Sequence, residues 1–341
     1  RQESPQPALV VNPVQRGTMR MGFDRLDTPE KAANAFAVLR KAPFEKFQII
    51  VTDADDKPIA AWHLFSGTLT QTSVYPREVL TAVYMTPGAK KVWFAHNHPS
   101  GVSTPSYADE ALTSAIAEGL GKDLGVEFAG HIIIVGRKAH AFDNVNTRDG
   151  RKGWPGYTFD VPPASRKFAV PIMERTITRQ KFSDARPLSA PSAVRDYFRE
   201  IRPTEPGLLL MDAQNRPLGF WPISIADMSK LRTGDTNTGA GRVVQMVGKL
   251  NPGAAIAYIP GVNTPATEKA IQNIGALMSR LDVRLLDAFV VEEGETKDRP
   301  KQVISYAEKG IDTKASTSFS RGQPGPGLPA ADIRAHIVGI T

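Results

Sequence analysis

The chain has 341 residues, a formal net charge of +7 and no cysteine. That length accommodates two domains of common size. The missing thiols exclude a disulfide scaffold, a Cys-ligated zinc and a thiol nucleophile, which leaves His, Asp and Glu as metal ligands. No apolar run approaches the roughly 20 residues that span a bilayer, and residues 1–7 lack the apolar core of a signal segment. A cytoplasmic protein without a membrane partner is therefore expected, and the lack of an initiator Met suggests a piece of a longer chain. Oligomeric state is left open.

Residues 1–23 read as a loose arm with one edge strand at Ala8-Leu9-Val10-Val11. Thr28-Pro29-Glu30 starts a helix, with Thr as N-cap and Pro at the first helical position, and apolar spacing carries it to Arg40. A strand hairpin follows, Glu45 to Asp53 and Pro58 to Phe65 around a turn at 54–57. A helix over 77–85 leads through Pro87-Gly88 to Val92-Trp93-Phe94-Ala95, a buried strand that delivers His96-Asn97-His98. In an extended segment positions i and i+2 face one side, so His96 and His98 reach a common ion. A Pro/Gly/Ser turn then opens a helix from Pro105 to about Gly121, with Ser106 and Asp109 on one face of its first turn. Two imidazoles and one carboxylate, with a fourth position for water, form the donor set of a catalytic zinc. A strand at 131–135 closes this region, and His63 and His140 read as surface or core residues.

Much of the positive charge lies in 148–184, where Arg148, Arg151, Lys152, Arg166, Lys167, Arg175, Arg179 and Lys181 are interleaved with Trp154, Tyr157, Phe159 and Phe168. Two readings stand: a solvated basic linker, and a strip that contacts nucleic acid. Beyond it the first region is echoed. Residues 28–40 have a partner in 190–202, Asp53 to Trp62 in Asp212 to Trp221, Pro87-Gly88-Ala89 in Pro252-Gly253-Ala254, and Leu124-Gly125-Val126 in Leu281-Asp282-Val283. Aligning Thr104-Pro105 with Thr264-Pro265 puts Ala266 and Lys269 where the first copy has Ser106 and Asp109, and residues 147–335 hold no histidine. The second copy is therefore expected to carry no metal. From Thr313 the Ser/Thr- and Pro/Gly-rich sequence reads as a flexible tail. The expected division is 1–23 arm, 24–146 metal lobe, 147–185 linker, 186–312 degenerate lobe and 313–341 tail.

His-x-His, seven residues, Ser, two residues, Asp resembles the JAMM (MPN+/JAB) metallopeptidase motif, and the wording HNHPSG…PS..D resembles its RadC branch. Phe65-Ser66-Gly67-Thr68-Leu69-Thr70, Tyr75-Pro76-Arg77-Glu78-Val79 and His131-Ile132-Ile133-Ile134-Val135-Gly136 agree with that resemblance, as does Ser305 to Gly310 in the second copy. The resemblance implies an α+β, cytidine-deaminase-like JAB/MPN fold: two tandem lobes, each a mixed curved sheet flanked by helices. It also implies a zinc cofactor held by His96, His98 and Asp109, and hydrolysis of peptide or isopeptide bonds in a protein or peptide substrate. Ser106 is implied as a donor to the oxyanion, and Glu45 as general acid/base, with Glu78 as the rival. A second implication is a RadC-like, DNA-associated accessory role. One departure is that RadC-type sequences carry Asp where this chain has Gly130.

Overall fold

The computed structural model describes residues 9–66, 76–142, 156–163, 166–179, 186–229, 239–292, 302–311 and 313. The first lobe runs Leu9–Met21 (β1), Pro29–Ala35 (α1), Lys46–Thr52 (β2), Pro58–Ser66 (β3), Pro76–Tyr84 (α2), Lys91–Asn97 (β4), Tyr107–Gly119 (α3), Glu127–Val135 (β5), Lys138–Ala141 (β6), Tyr157–Asp160 (β7) and Phe168–Arg179 (β8). The second runs Pro191–Ile201 (α4), Gly207–Met211 (β9), Pro217–Pro222 (β10), Ile225–Ser229 (α5), Gly239–Leu250 (α6), Ala254–Pro260 (β11), Pro265–Arg280 (α7), Arg284–Glu292 (β12) and Gln302–Ser305 (β13).

Two mixed sheets result, in the orders β1-β8-β3-β2-β4-β5-β6-β7 and β10-β9-β11-β12-β13. From Leu9 to Met21 the arm is thus not loose. β1 pairs with β8 from Leu9↔Arg179 to Met21↔Phe168 and forms one edge of the sheet. The expected linker likewise supplies β7 and β8 to that sheet, anchored where Tyr157 donates to Glu30 (2.6 Å) and where Phe159 packs on the core. Charge and aromatic content suggested a linker because short half-exposed strands alternate polar with apolar residues. The expected tail beyond residue 313, the phrase at 67–75, and Arg148, Arg151, Lys152, Trp154 and Lys181 lie outside the described residues.

Helices end where local geometry changes. Thr28 caps α1 by accepting from the Lys31 amide, but after Ala35 the chain tightens into a 3-10 turn over Phe36–Lys41. Three residues per turn align Phe36 with Leu39, and both are buried. After α3 a π turn spans Leu120–Leu124 and ends on Gly125 at φ 62°. α3 is the crossover that parallel β4 and β5 require.

Strands β3-β2-β4-β5-β6 and β10-β9-β11-β12-β13 share one order and one pattern of directions: antiparallel, antiparallel, parallel, antiparallel. Both parallel pairs even skip a residue at the same place, Ala129 in one and Leu286 in the other. This register matches Gly130 with Asp287 and His96 with Ile259. A single core fills the space between the sheets, combining Val92, Phe94 and Leu80 of the first lobe with Leu210, Val244 and Leu277 of the second. α2 and α6 approach so closely that a Cβ on Gly248 would lie 2.6 Å from the Thr81 methyl. Beside them Arg280 holds the fully buried Asp123, its Nε 2.7 Å from one carboxylate oxygen. With Leu124 matched to Leu281, Asp123 and Arg280 are matched positions of the two lobes, and such positions touch only near a local two-fold axis.

Candidate metal centre

β4 ends in the site. Its residues alternate between the two faces of the sheet, so Phe94 and His96 point toward α2 and α3 while Trp93, Ala95 and Asn97 point the other way. His96 is buried, and His98 follows in the turn after the strand. The helix expected from Pro105 starts at Tyr107, because Ser106 is the N-cap of α3. Ser106 Oγ accepts from the Asp109 amide (3.2 Å), and the Ser106 amide donates to Asp109 Oδ2 (2.8 Å), a reciprocal capping box. The Ser106 hydroxyl also donates to Oδ2 (2.6 Å), which holds the carboxylate with Oδ1 toward His96 and Oδ2 toward His98.

Glu45, His96, His98 and Asp109 each present a ligand atom, and these atoms lie within 4.8 Å of one another, a set able to hold a metal ion. The two Nε2 atoms are 2.8 Å apart, Asp109 Oδ1 is 3.4 Å from His96 Nε2, and Oδ2 is 3.7 Å from His98 Nε2. Glu78, the rival to Glu45, is elsewhere: it sits in the first turn of α2 and is paired with Arg175.

Behind the site the hydrogen bonds form a closed circuit. His96 Nδ1 lies 2.7 Å from His131 Nε2, and His131 Nδ1 lies 2.7 Å from Thr113 Oγ1. The Thr113 hydroxyl donates to the Asp109 carbonyl (2.5 Å), so its own acceptor lone pair is left for an N–H of His131. The network therefore reads His96 Nδ1–H to His131, His131 Nδ1–H to Thr113, Thr113 O–H to Asp109, with His96 Nε2 free of its proton. His98 Nδ1 donates to the Val102 carbonyl (2.7 Å), which aims its Nε2 at the same point. Phe142 stacks on His131 at 4.2 Å and 5°. Spacing in the sequence does not assign His131 to the site; its position on β5, opposite Phe94 in the parallel pair, is what puts it under His96.

Burial lowers the His96 imidazole to about 4, against the pull of Asp109, so it is neutral at pH 7. Burial likewise holds His131 well below the ordinary imidazole range. The hydrogen bond to Asp109 raises His98 although burial opposes it. Burial pushes the Asp109 carboxyl up, but His98, His96 and Ser106 together hold it below the usual carboxylate range. Neutral imidazole and ionised carboxylate are the forms that ligate.

Gly130 does not open a gap in this site. It lies on the opposite face of the sheet, and a Cβ there would come 2.6 Å from the Trp93 ring, whose Nε1 donates to the Leu26 carbonyl. At the matched position of the second lobe, the buried Asp287 accepts from Ser305 Oγ (2.6 Å) and the Ala307 amide (2.9 Å), pinning the turn after β13. In the second lobe the acid at this place anchors a loop; in the first lobe the Trp93 indole packs there. His63 and His140 stand apart from the cluster, within reach of Gln48 (3.4 Å) and Thr158 (3.0 Å).

Residues 26–147 match the family model described as a RadC-like JAB domain. The first lobe contains a RadC-like JAB domain. A UPF0758 protein of Janthinobacterium sp. (strain Marseille) is 42% identical over 100 residues, 29% of this chain and 44% of that protein. A UPF0758 protein of Dechloromonas aromatica (strain RCB) is 47% identical over 92 residues, 27% and 40% of the two chains. A third, from Alcanivorax borkumensis, is 40% identical over 126 residues, 37% and 53%. The chain spans about half the length of the curated relatives it matches. All four clustered ligand atoms belong to the JAB domain. Among the described residues no helix is long and apolar enough to cross a membrane.

The second lobe has a different residue at every one of these places. The strand register puts Thr204 at the place of Glu45, Ile259 at that of His96 and Gly261 at that of His98. The expected alignment of Ala266 and Lys269 with Ser106 and Asp109 is shifted. α7 is capped by Thr264, so Thr264 and Thr267 match Ser106 and Asp109. The paired Thr-Pro phrases misled because Thr104 stands two residues before its helix cap whereas Thr264 is itself the cap, and the loop after His98 is five residues longer than its counterpart. Lys269 is exposed, away from any ligand position.

Proposed function

We propose that the JAB domain is a zinc-dependent hydrolase of peptide or isopeptide bonds, and that the second lobe is a duplicated copy without a metal site. What carries this reading is the convergence of His96 Nε2, His98 Nε2 and the Asp109 carboxylate, with the Glu45 carboxylate beside them. The donor set fits zinc: ligands at about 2.0–2.1 Å in a tetrahedron stand roughly 3.3 Å apart, and the nitrogens and oxygens lie 2.8, 3.4 and 3.7 Å from one another. His96, His98 and Asp109 would hold the ion. When bound, zinc supplies Lewis acidity, lowering the pKa of water to about 7 and polarising an amide carbonyl.

The chain's own groups do the rest. Glu45 accepts a proton from the attacking water and delivers it to the leaving nitrogen, the two halves of general acid/base catalysis. Glu78, in the first turn of α2, is committed to Arg175 of β8, which supports Glu45 over its rival. Ser106 holds Asp109 Oδ2 in the substrate-free arrangement; its hydroxyl serves the developing oxyanion by turning from that oxygen to the carbonyl. The His96–His131–Thr113 circuit keeps the His96 proton on Nδ1, away from the ion.

The test is a pool of peptides and lysine-linked isopeptides incubated with the zinc-loaded full chain. Wild type cleaves, Glu45→Gln loses about 10²–10⁴ in rate at saturating zinc, where it is still loaded, and His96→Ala loses both. Zinc bound at full occupancy with no cleavage of either bond type by wild type refutes the hydrolase reading.

A further inference from the structure

Glu45 lies in a segment with no ladder partner. The pairing of β2 with β4 ends at Phe47↔His96, and residues 42–45 connect the 3-10 turn to β2 without regular structure. A carboxylate that must stand within 4.8 Å of three other ligand atoms needs its backbone fixed, and the ladders stop short of it, at Lys46↔Ser66 on the β3 side and at Phe47↔His96 on the β4 side.

Asn97 does. It sits between the two histidines and points to the opposite face, buried to 3% exposure. Its Oδ1 accepts from the Lys46 amide (2.9 Å), and its Nδ2 donates to the Phe44 carbonyl (3.0 Å) and to that of Ala42 (3.4 Å). Those are the peptide groups immediately after and before Glu45. The side-chain amide acts as one more rung of the ladder, with a donor and an acceptor on a short stem. Asp lacks the donor, Ala lacks both, and Gln is a methylene too long.

We propose that Asn97 is a positioning residue that sets Glu45 against the metal site, so that the His-Asn-His triplet aims two ligands with its outer residues and the acid/base with its middle one. This rests on the reading of Glu45 given above. The middle residue makes the geometry of β4 common to ligands and base: any movement of the strand carries all three together.

The experiment is a double-mutant cycle on the full chain, Asn97→Ala, Glu45→Gln and the pair, read first as Zn²⁺ affinity by competition with a chelator. A carboxylate within a few ångströms of a divalent cation attracts it strongly even at high effective dielectric, so Glu45→Gln weakens zinc about tenfold. Asn97→Ala, by freeing the Glu45 backbone, weakens it about threefold to tenfold and accelerates hydrogen exchange at the Lys46 amide. In the Glu45→Gln background Asn97→Ala adds less than about twofold, both in zinc affinity and in cleavage of the peptide pool. Asn97→Asp, which keeps volume and acceptor, serves if the alanine variant is not folded, with the same non-additivity expected. Additive effects mean that Asn97 supports the strand rather than Glu45 and overturn the proposal, as does an Asn97→Ala protein with wild-type zinc affinity. If wild type cleaves nothing, the hydrolase reading fails while the zinc cycle still decides the role of Asn97.

Discussion

Replacing His131 with Phe is the perturbation that best separates the metal site from the fold around it. The ring is fully enclosed, stacked on Phe142 at 4.2 Å, and bonded on both nitrogens at 2.7 Å. Phenylalanine keeps the ring volume and the stack but accepts no hydrogen bond. Without metal, His96 can move its proton to Nε2, where His98 and Asp109 accept it. With a cation on Nε2 the proton must stay on Nδ1, buried and facing a hydrocarbon edge. An unsatisfied buried donor costs about 1–3 kcal/mol, and that cost falls on the metal-bound form alone. Since about 1.4 kcal/mol is tenfold in an equilibrium, zinc affinity should fall roughly 5- to 150-fold with the apo fold intact. Competition titration against a chelator of known affinity, alongside urea unfolding of the apo protein, measures both quantities. An apo protein of wild-type stability that binds zinc within twofold of wild type refutes the circuit as a support for His96.

Three more outcomes follow from packing. Arg280→Met strands the buried Asp123 carboxylate at the lobe interface and should cost about 3–5 kcal/mol in urea unfolding, most of it recovered in Asp123→Asn/Arg280→Met. Gly130→Ala forces a Cβ against Trp93 and should cost about 1–3 kcal/mol, while zinc affinity stays at the wild-type level because that face of the sheet is not the site. Tyr157→Phe removes the hydrogen bond that docks β7 on α1: burial pushes Glu30 up, but Tyr157 and the local hydrogen bonds bring it below its ordinary 4.5. A depressed carboxyl adds stability above its unfolded value and loses it as pH falls through the folded one. The variant should therefore be less stable by about 1–2 kcal/mol at pH 7, with the gap to wild type closing below pH 4.5.

The clustered donors were legible because a strand and a helix cap impose their own spacing. His96 and His98 stand two apart on an extended segment, and Ser106 and Asp109 stand three apart at a helix start, so each pair is brought together by local geometry. Glu45 was found through its resemblance to a family phrase and not through any spacing, since it is brought near the site by the long-range pairing of β2 with β4 and by the Asn97 bonds to its flanking peptides. His131, Thr113 and Asn97 were not assigned for the same reason. Their partners lie 35, 18 and 51 positions away, in contacts that strand register and the packing of α3 on the sheet create. The second lobe was visible as a faint repeat. Its alignment slipped at the Thr-Pro phrases, because the cap hydrogen bond that defines equivalence is not written in residue identity. The supposed linker failed differently: β8 lies between β1 and β3, whose residues are more than a hundred positions away, β7 closes the far edge against β6, and a basic composition hides both.

The central claim is that one divalent ion is held by the front lobe and none by the rear. Anomalous diffraction at the zinc edge on zinc-equilibrated crystals of the full chain tests it most directly. The account predicts a single peak between His96, His98 and Asp109, absent from His96→Ala crystals treated in the same way. A well-ordered wild-type site without a peak there, or a peak of equal height beside Ile259 and Thr267 in the second lobe, contradicts it.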